Sequence, residues 1–463
     1  EILYGAAAAG LLPFVFACVL AAQPDYAKNW ALLFGMVVLL NGGLLWLGLS
    51  RWLVLVPLAL VATLSTELLW ILNSLSLTLL PVAVGVSLAL MLLYVPLHRL
   101  YARLHPEEKS LPGLLLLSMQ AACVAPLLLG CLLASEPQYA SRWPLLYVLL
   151  GVTNLAALWT AMRRTASLAL PTVFLTVLAQ ALWVFNTLSP SLLPLTLVLT
   201  FGGALGYIAL PALTRRLTNT EVAPAPIRQA AGLGGLFPLL LSCVLCSIPT
   251  YGARWPLIFG AVVGLNGALL WLAQRDVPGV GMPALLTTLA ALAAWSLRVM
   301  TPAQMPVGIS LCLLFCMSYL ALPKLTKKAA LGPEAALTLR ATAGLFPFAL
   351  AFYLAGTPEY AARYLLLFGF VFVADAALLA TALLRVQPLL PLCGAVATAL
   401  VGCTWATGGL TRSTLWGGGL SLLVLALLLS SGPRLLRWRQ PTAPSGHQLM
   451  HALAAVASWA GLV

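Results

Sequence analysis

The chain has 463 residues, of which 62% are hydrophobic and 8% charged, with a mean hydropathy of +1.02. Soluble domains carry about 25% charged residues, so an ordinary soluble fold is excluded. The formal net charge of +13, from 24 Lys and Arg against 11 Asp and Glu, must then be placed on the faces of a membrane protein.

In chain order, the first apolar segment covers residues 10–22 and contains Pro13. Pro24-x-Tyr26 follows, then a segment over 30–49 that opens on Trp30, carries Asn41 and stops before Arg51. A third segment, 52–72, carries Glu67 and Trp70, with Asn73 just beyond it; a fourth, 77–97, contains Pro81 and Tyr94. A basic joint with Arg99, Arg103 and Lys109 ends the set. The same order returns with Pro126, Pro137, Tyr139, Trp143, Asn154 and Arg164, then with Pro238, Pro249, Tyr251, Trp255, Asn266 and Arg275. It returns again with Pro347, Pro358, Tyr360, Tyr364, Asp375 and Arg385. The tyrosines of the Pro-x-Tyr motif step by 113, 112 and 109 residues. A period this long exceeds that of a solenoid and marks a whole multi-helix unit.

Each apolar segment approaches the ~20 residues that cross a bilayer as a helix, and none alternates with the period of a strand. The expected fold is an all-α, polytopic integral membrane protein with about sixteen transmembrane helices in four tandem parallel four-helix repeats. The repeats cover residues 1–109, 110–222, 223–332 and 333–444; residues 445–463 begin a further repeat or form a terminal helix. The sequence starts inside an apolar segment, and an internal piece of a longer chain is expected.

Charge fixes the expected orientation. The joints and the turns after the second segments hold 18 Lys and Arg, and the opposite turns hold 6. The positive-inside rule puts the joints in the cytoplasm of a bacterial inner membrane. The basic joints are expected to meet anionic lipid headgroups, and nucleic acid is not expected as a partner. An even number of spans gives every repeat the same orientation, unlike inverted repeats.

The candidate site positions are polar side chains at membrane depth. Asn41 lies 11 residues after Trp30 and 10 before Arg51, about 15 Å from each end at 1.5 Å per residue. Asn154, Asn266 and Asp375 hold the matching places, and each either locks its helices by a hydrogen bond or belongs to a polar track. Asp375 is the acid among amides, with no cation at its depth. Glu67 is a second intramembrane acid and Gln180 stands at its place in the second set. The nine cysteines read as small hydrophobes, Cys243-x-x-Cys246 included. The four histidines, His98, His105, His447 and His451, read as loop or helix-end residues. The motifs point to no cofactor, metal or catalytic residue.

The tandem Pro-x-Tyr turns, the Asn-(Gly/Leu)-x-x-Leu-Trp stretches and the basic joints resemble a large bacterial family of polytopic predicted membrane proteins of unknown function. The resemblance implies a multi-pass inner-membrane protein and brings no catalytic residues. Three functions compete. An accessory scaffold, holding other membrane subunits, is preferred. A transporter or flippase of a lipid-linked or small substrate would use Asp375 and Glu67. A membrane glycosyltransferase would need a larger outer loop than the short turns here, whose acids Asp25, Glu136 and Glu359 are single.

Overall fold

The computed structural model describes residues 2–108, 110–321, 333–385, 389–439 and 445–460. Lys109, Lys324, Lys327 and Lys328, counted above on the basic side, lie outside the described residues, as does the side chain of Arg385. Among the described residues, the regular elements are all helices.

The first set comprises α1 (Ile2–Ala22), a four-residue α2 (Pro24–Ala27), α3 (Trp30–Ser50), α4 (Leu55–Ser74), α5 (Leu80–Tyr94) and a short α6 (Leu97–Leu104). The next is α7 (Gly113–Ser135), α8 (Pro137–Ala140), α9 (Trp143–Arg163), α10 (Ala169–Thr187) and α11 (Leu193–Thr218). Then come α12 (Ala225–Ser247), α13 (Pro249–Gly252), α14 (Trp255–Arg275), α15 (Gly281–Arg298) and α16 (Met305–Ala321). The last are α17 (Pro333–Gly356), α18 (Pro358–Ala361), α19 (Tyr364–Arg385), α20 (Leu389–Gly409), α21 (Leu415–Ser430), α22 (Gly432–Arg439) and α23 (Ser445–Ala460).

Local chemistry sets these boundaries. Pro24, Pro137, Pro249 and Pro358 each open a one-turn helix, where a missing N–H costs nothing and φ is already helical. Trp30, Trp143, Trp255 and Tyr364 are the first residues of the long helices that follow. Helix α11 ends on Asn219 at φ 52°, a left-handed position that asparagine tolerates. Pro13, Pro126, Pro238 and Pro347 stand inside α1, α7, α12 and α17, and each helix continues through its proline.

Among the described residues, fifteen helical segments are long and apolar enough to cross a membrane. The expected sixteenth corresponds to α1, of which the stretch Leu12–Ala22 counts as a shorter apolar helix. The chain is thus an all-α, multi-pass membrane protein. One segment joins α5 to α6, covering Leu80–Leu104, and another joins α21 to α22, covering Leu415–Arg439.

The chain forms two compact units, Glu1–Gly234 and Gly235–Val463, divided within α12. In the first unit α1 packs on α3 and α4, as α7 does on α9 and α10. Helix α7 also covers α4, α5 and α6. One apolar cluster gathers Leu45 and Leu49 with Leu60, Tyr94, Tyr101 and Met119; a second gathers Cys123, Ala157 and Val173 with Tyr207, Ile227 and Ala230. In the second unit α17 packs on α19 and α20, and α23 covers α20, α21 and α22 just as α7 covers α4, α5 and α6. Lipid is as apolar as these side chains, so close packing and interhelical hydrogen bonds hold such bundles.

Candidate functional site

Asn41 of α3 is buried, and its Nδ2 donates to the Val37 carbonyl at 3.2 Å and to Thr63 Oγ1 of α4. Its Oδ1 accepts from the Tyr94 hydroxyl of α5 at 2.8 Å. Thr63 in turn donates to the Ala59 carbonyl at 2.7 Å. One amide thereby joins three helices and leaves none of its own polar atoms idle.

The arrangement recurs. Asn154 donates to Leu150 O and Thr176 Oγ1, both at 2.7 Å, and accepts from Tyr207 at 3.0 Å. Asn266 donates to Thr288 Oγ1 and accepts from Tyr319, both at 2.7 Å. Each threonine lies 22 residues beyond its asparagine and each tyrosine 53.

The fourth centre differs. Asp375 has no amide to donate, and the bond reverses: Thr398 donates to Asp375 Oδ2 at 2.7 Å. Thr398 lies 23 residues beyond Asp375, one more than in the other centres, so Leu429, 54 residues beyond, stands where the others have tyrosine. Asp375 Oδ1 is buried without a partner. It rests against Gly394, where an added Cβ would come within 3.1 Å of it.

A second contact repeats four times. Trp70 Nε1 donates to the Ala27 carbonyl at 3.0 Å, and Trp183, Trp295 and Trp405 donate to the carbonyls of Ala140, Gly252 and Ala361 at 3.1 Å. Those carbonyls end the one-turn helices, where backbone acceptors lack helical partners. Each indole is fully buried and meets an aromatic edge of the preceding long helix: Phe34, Tyr147, Phe259 or Phe368. Gly418 serves the fourth contact, since a Cβ there would run into the Trp405 ring. Gly417 beside it makes room for Tyr364 in the same way.

The Pro-x-Tyr tyrosines tie successive turns together. Tyr139 donates to Leu75 O at 3.0 Å and Tyr360 to Met300 O at 2.7 Å, whereas Tyr26 is exposed.

Glu67 and Gln180 have different surroundings from these centres. Gln180 is buried and its amide lies against Gly203. Glu67 is 5% exposed and its Oε1 has no partner. It borders a groove of about 270 Å³ between α4 and α7. It also borders a void of about 10 Å³ that reaches Ser87, Thr63 and Pro126.

Two of the histidines lie against backbone carbonyls. His105 Nε2 lies 2.7 Å from the Leu49 carbonyl and His98 Nδ1 3.0 Å from that of Val95. Cys243 donates to Thr287 O at 3.2 Å. Among the described residues, no three His, Cys, Asp or Glu side chains gather as a metal site.

Sequence reasoning missed the threonines, the carbonyl partners of the tryptophans and the link made by Tyr139 and Tyr360. The constant intervals of 22 and 53 residues were available as a signal for the first of these. The chain matches no protein-family model, no curated protein and no solved structure.

Proposed function

We propose that the chain consists of four tandem parallel copies of one four-helix unit, with their joints cytoplasmic in a bacterial inner membrane, and acts there as an accessory scaffold that gathers other membrane subunits. The copies are residues 1–109, 110–222, 223–332 and 333–444, with 445–463 taking up the first-helix place of a further unit. The observation that carries this reading is the use of the asparagine at each of the first three centres. Its amide is engaged by its own unit's threonine and tyrosine and does not line a path.

The outward surface of the helices of the first two copies is apolar, with Leu32, Leu39, Leu155, Phe185 and Val198 each at least 69% exposed. Such a surface suits lipid or partner helices. Anionic headgroups suit the short helices α6, with Arg99 and Arg103, and α22, with Arg434, Arg437 and Arg439. Arg163 lies 4.3 Å over the Trp159 ring and Arg275 5.2 Å over Trp271, pairings suited to the membrane interface. The resemblance to bacterial polytopic membrane proteins of unknown function agrees with this placement.

Purification in a gentle detergent tests the scaffold reading. Partner subunits at fixed stoichiometry are expected, and a solitary chain would overturn it. Single cysteines beside Tyr139 and Arg215, in a background without native cysteines, should label from opposite sides with an impermeant thiol reagent. Labelling from the same side would remove the four-span unit. A second reading, transport of a lipid-linked or small substrate, is favoured by the unpartnered Glu67 oxygen beside a groove.

A further inference from the structure

The groove between α4 and α7 is walled by Leu64, Leu68, Ile71, Leu128 and Leu132, and among the described residues Glu67 is the one ionisable group lining it. Leu68 and Leu128 are more than half exposed, so the groove opens where lipid would stand. At about 270 Å³ it approaches the lower end of small-molecule sites, ~300 Å³. The void behind it shares Leu64, Glu67 and Ala125 with the groove, so Glu67 stands at the neck between them. At about 10 Å³ the void has room for one water-sized group, which needs ≳10 Å³.

The neck is rich in acceptors. Glu67 Oε1 is buried without a partner. Ala122 and Pro126 of α7 both line the void, and proline has no N–H to give the carbonyl four residues back. Ser87 lines the same space; its hydroxyl donates to the Glu67 carboxyl and keeps lone pairs to accept with. A ligand that satisfies this wall must bring several donors in a small head and carry an apolar body. A primary ammonium has three donors, no acceptor and about the size of a water molecule. An alcohol brings one donor, and a quaternary ammonium brings none.

We propose that the α4–α7 groove binds a lipophilic primary amine, its alkyl chain along Leu68, Leu128 and Leu132 and its ammonium group on Glu67. Glu67 occurs only in the first copy: Gln180, Leu292 and Gly402 stand three residues before the other stapling tryptophans. The site therefore belongs to one place in the chain.

The test uses a diazirine-bearing dodecylamine photolysed with the full chain in lipid nanodiscs, with crosslinked peptides read by mass spectrometry. Labelling is expected within 64–71 and 125–132. Excess dodecylamine should compete and dodecanol of the same length should not. Glu67→Gln should cut labelling at least ten-fold with an unchanged melting temperature, since Gln180 already holds that place in α10. Leu128→Trp, which fills the groove from its exposed side and leaves the acid intact, should do the same. Undiminished labelling of either variant would overturn the proposal. So would equal competition by dodecanol, which would leave an apolar groove with no use for the acid.

Discussion

The centres at Asn41 and Asp375 occupy matching places and solve the same problem with opposite results. Asn41 both donates and accepts, and its three partners use every polar atom it has. Asp375 differs by one terminal atom, yet its threonine must turn its proton round and no tyrosine arrives. One oxygen is left buried and alone. An amide suits a site with a donor on one side and an acceptor on the other; a carboxyl group needs a second donor. The lesson is that a membrane bundle tolerates a lost hydroxyl at one centre while the tryptophan contact persists unchanged, as at Trp405.

Substitutions can break the contrast, and the largest effect is expected at a complete centre. Asn266→Leu removes both interhelical bonds and strands the Tyr319 hydroxyl, for a loss of about 2 kcal/mol. Asp375→Leu removes one bond and one orphaned oxygen together and should change stability by less than about 0.5 kcal/mol. Unfolding by SDS in bicelles measures both, and equal losses would abolish the distinction. Next comes Asp375→Asn, which supplies an N–H for the Val371 carbonyl or Thr398 and should gain about 1 kcal/mol. A stable variant that no longer recovers its partners would give the acid a function and move transport ahead of the scaffold.

Tyr94→Phe should cost about 0.6 kcal/mol, the average for an interhelical bond in a membrane. Leu429→Phe, at the matching place, has no such bond to lose and should show no comparable step in the same assay. The smallest effect concerns Tyr360, whose phenol burial, together with Tyr353 and Glu359, pushes above its ordinary range. The folded state holds that proton more tightly than the unfolded one, so its contribution is complete below about pH 10 and is lost as pH rises further. The melting temperature of the parent should fall more steeply above pH 10 than that of Tyr360→Phe. Parallel curves would show that the folded state holds the Tyr360 proton no more tightly than the unfolded one.

Much of this was legible in the chain itself. The apolar segments, the Trp and Tyr residues that open α3, α9, α14 and α19, and the mid-depth asparagines all follow from hydropathy and spacing. Thr63, Thr176, Thr288 and Thr398 did not stand out, because threonine is unremarkable in an apolar helix and usually bonds its own backbone. The Trp70 contact was invisible for another reason. Its acceptor is a carbonyl, present at every residue, and only the packing of α4 beside α2 selects Ala27. Helix α6 was read as a charged joint because its apolar face rests on just two buried residues, Leu97 and Tyr101. The orphaned oxygen of Glu67 depends on the cavity around it and could not be inferred from sequence.

The 53-residue reach from Asn41 to Tyr94 also sets a clock. At roughly 5–20 residues per second of synthesis, the ribosome delivers the tyrosine about 3–10 s after the asparagine. The threonine comes in less than half that time, since it follows by 22 residues. During that interval the asparagine has a donor satisfied and an acceptor waiting, and the centre stays incomplete until its third helix arrives. Slowing translation between residues 63 and 94 would lengthen that wait without altering a single side chain.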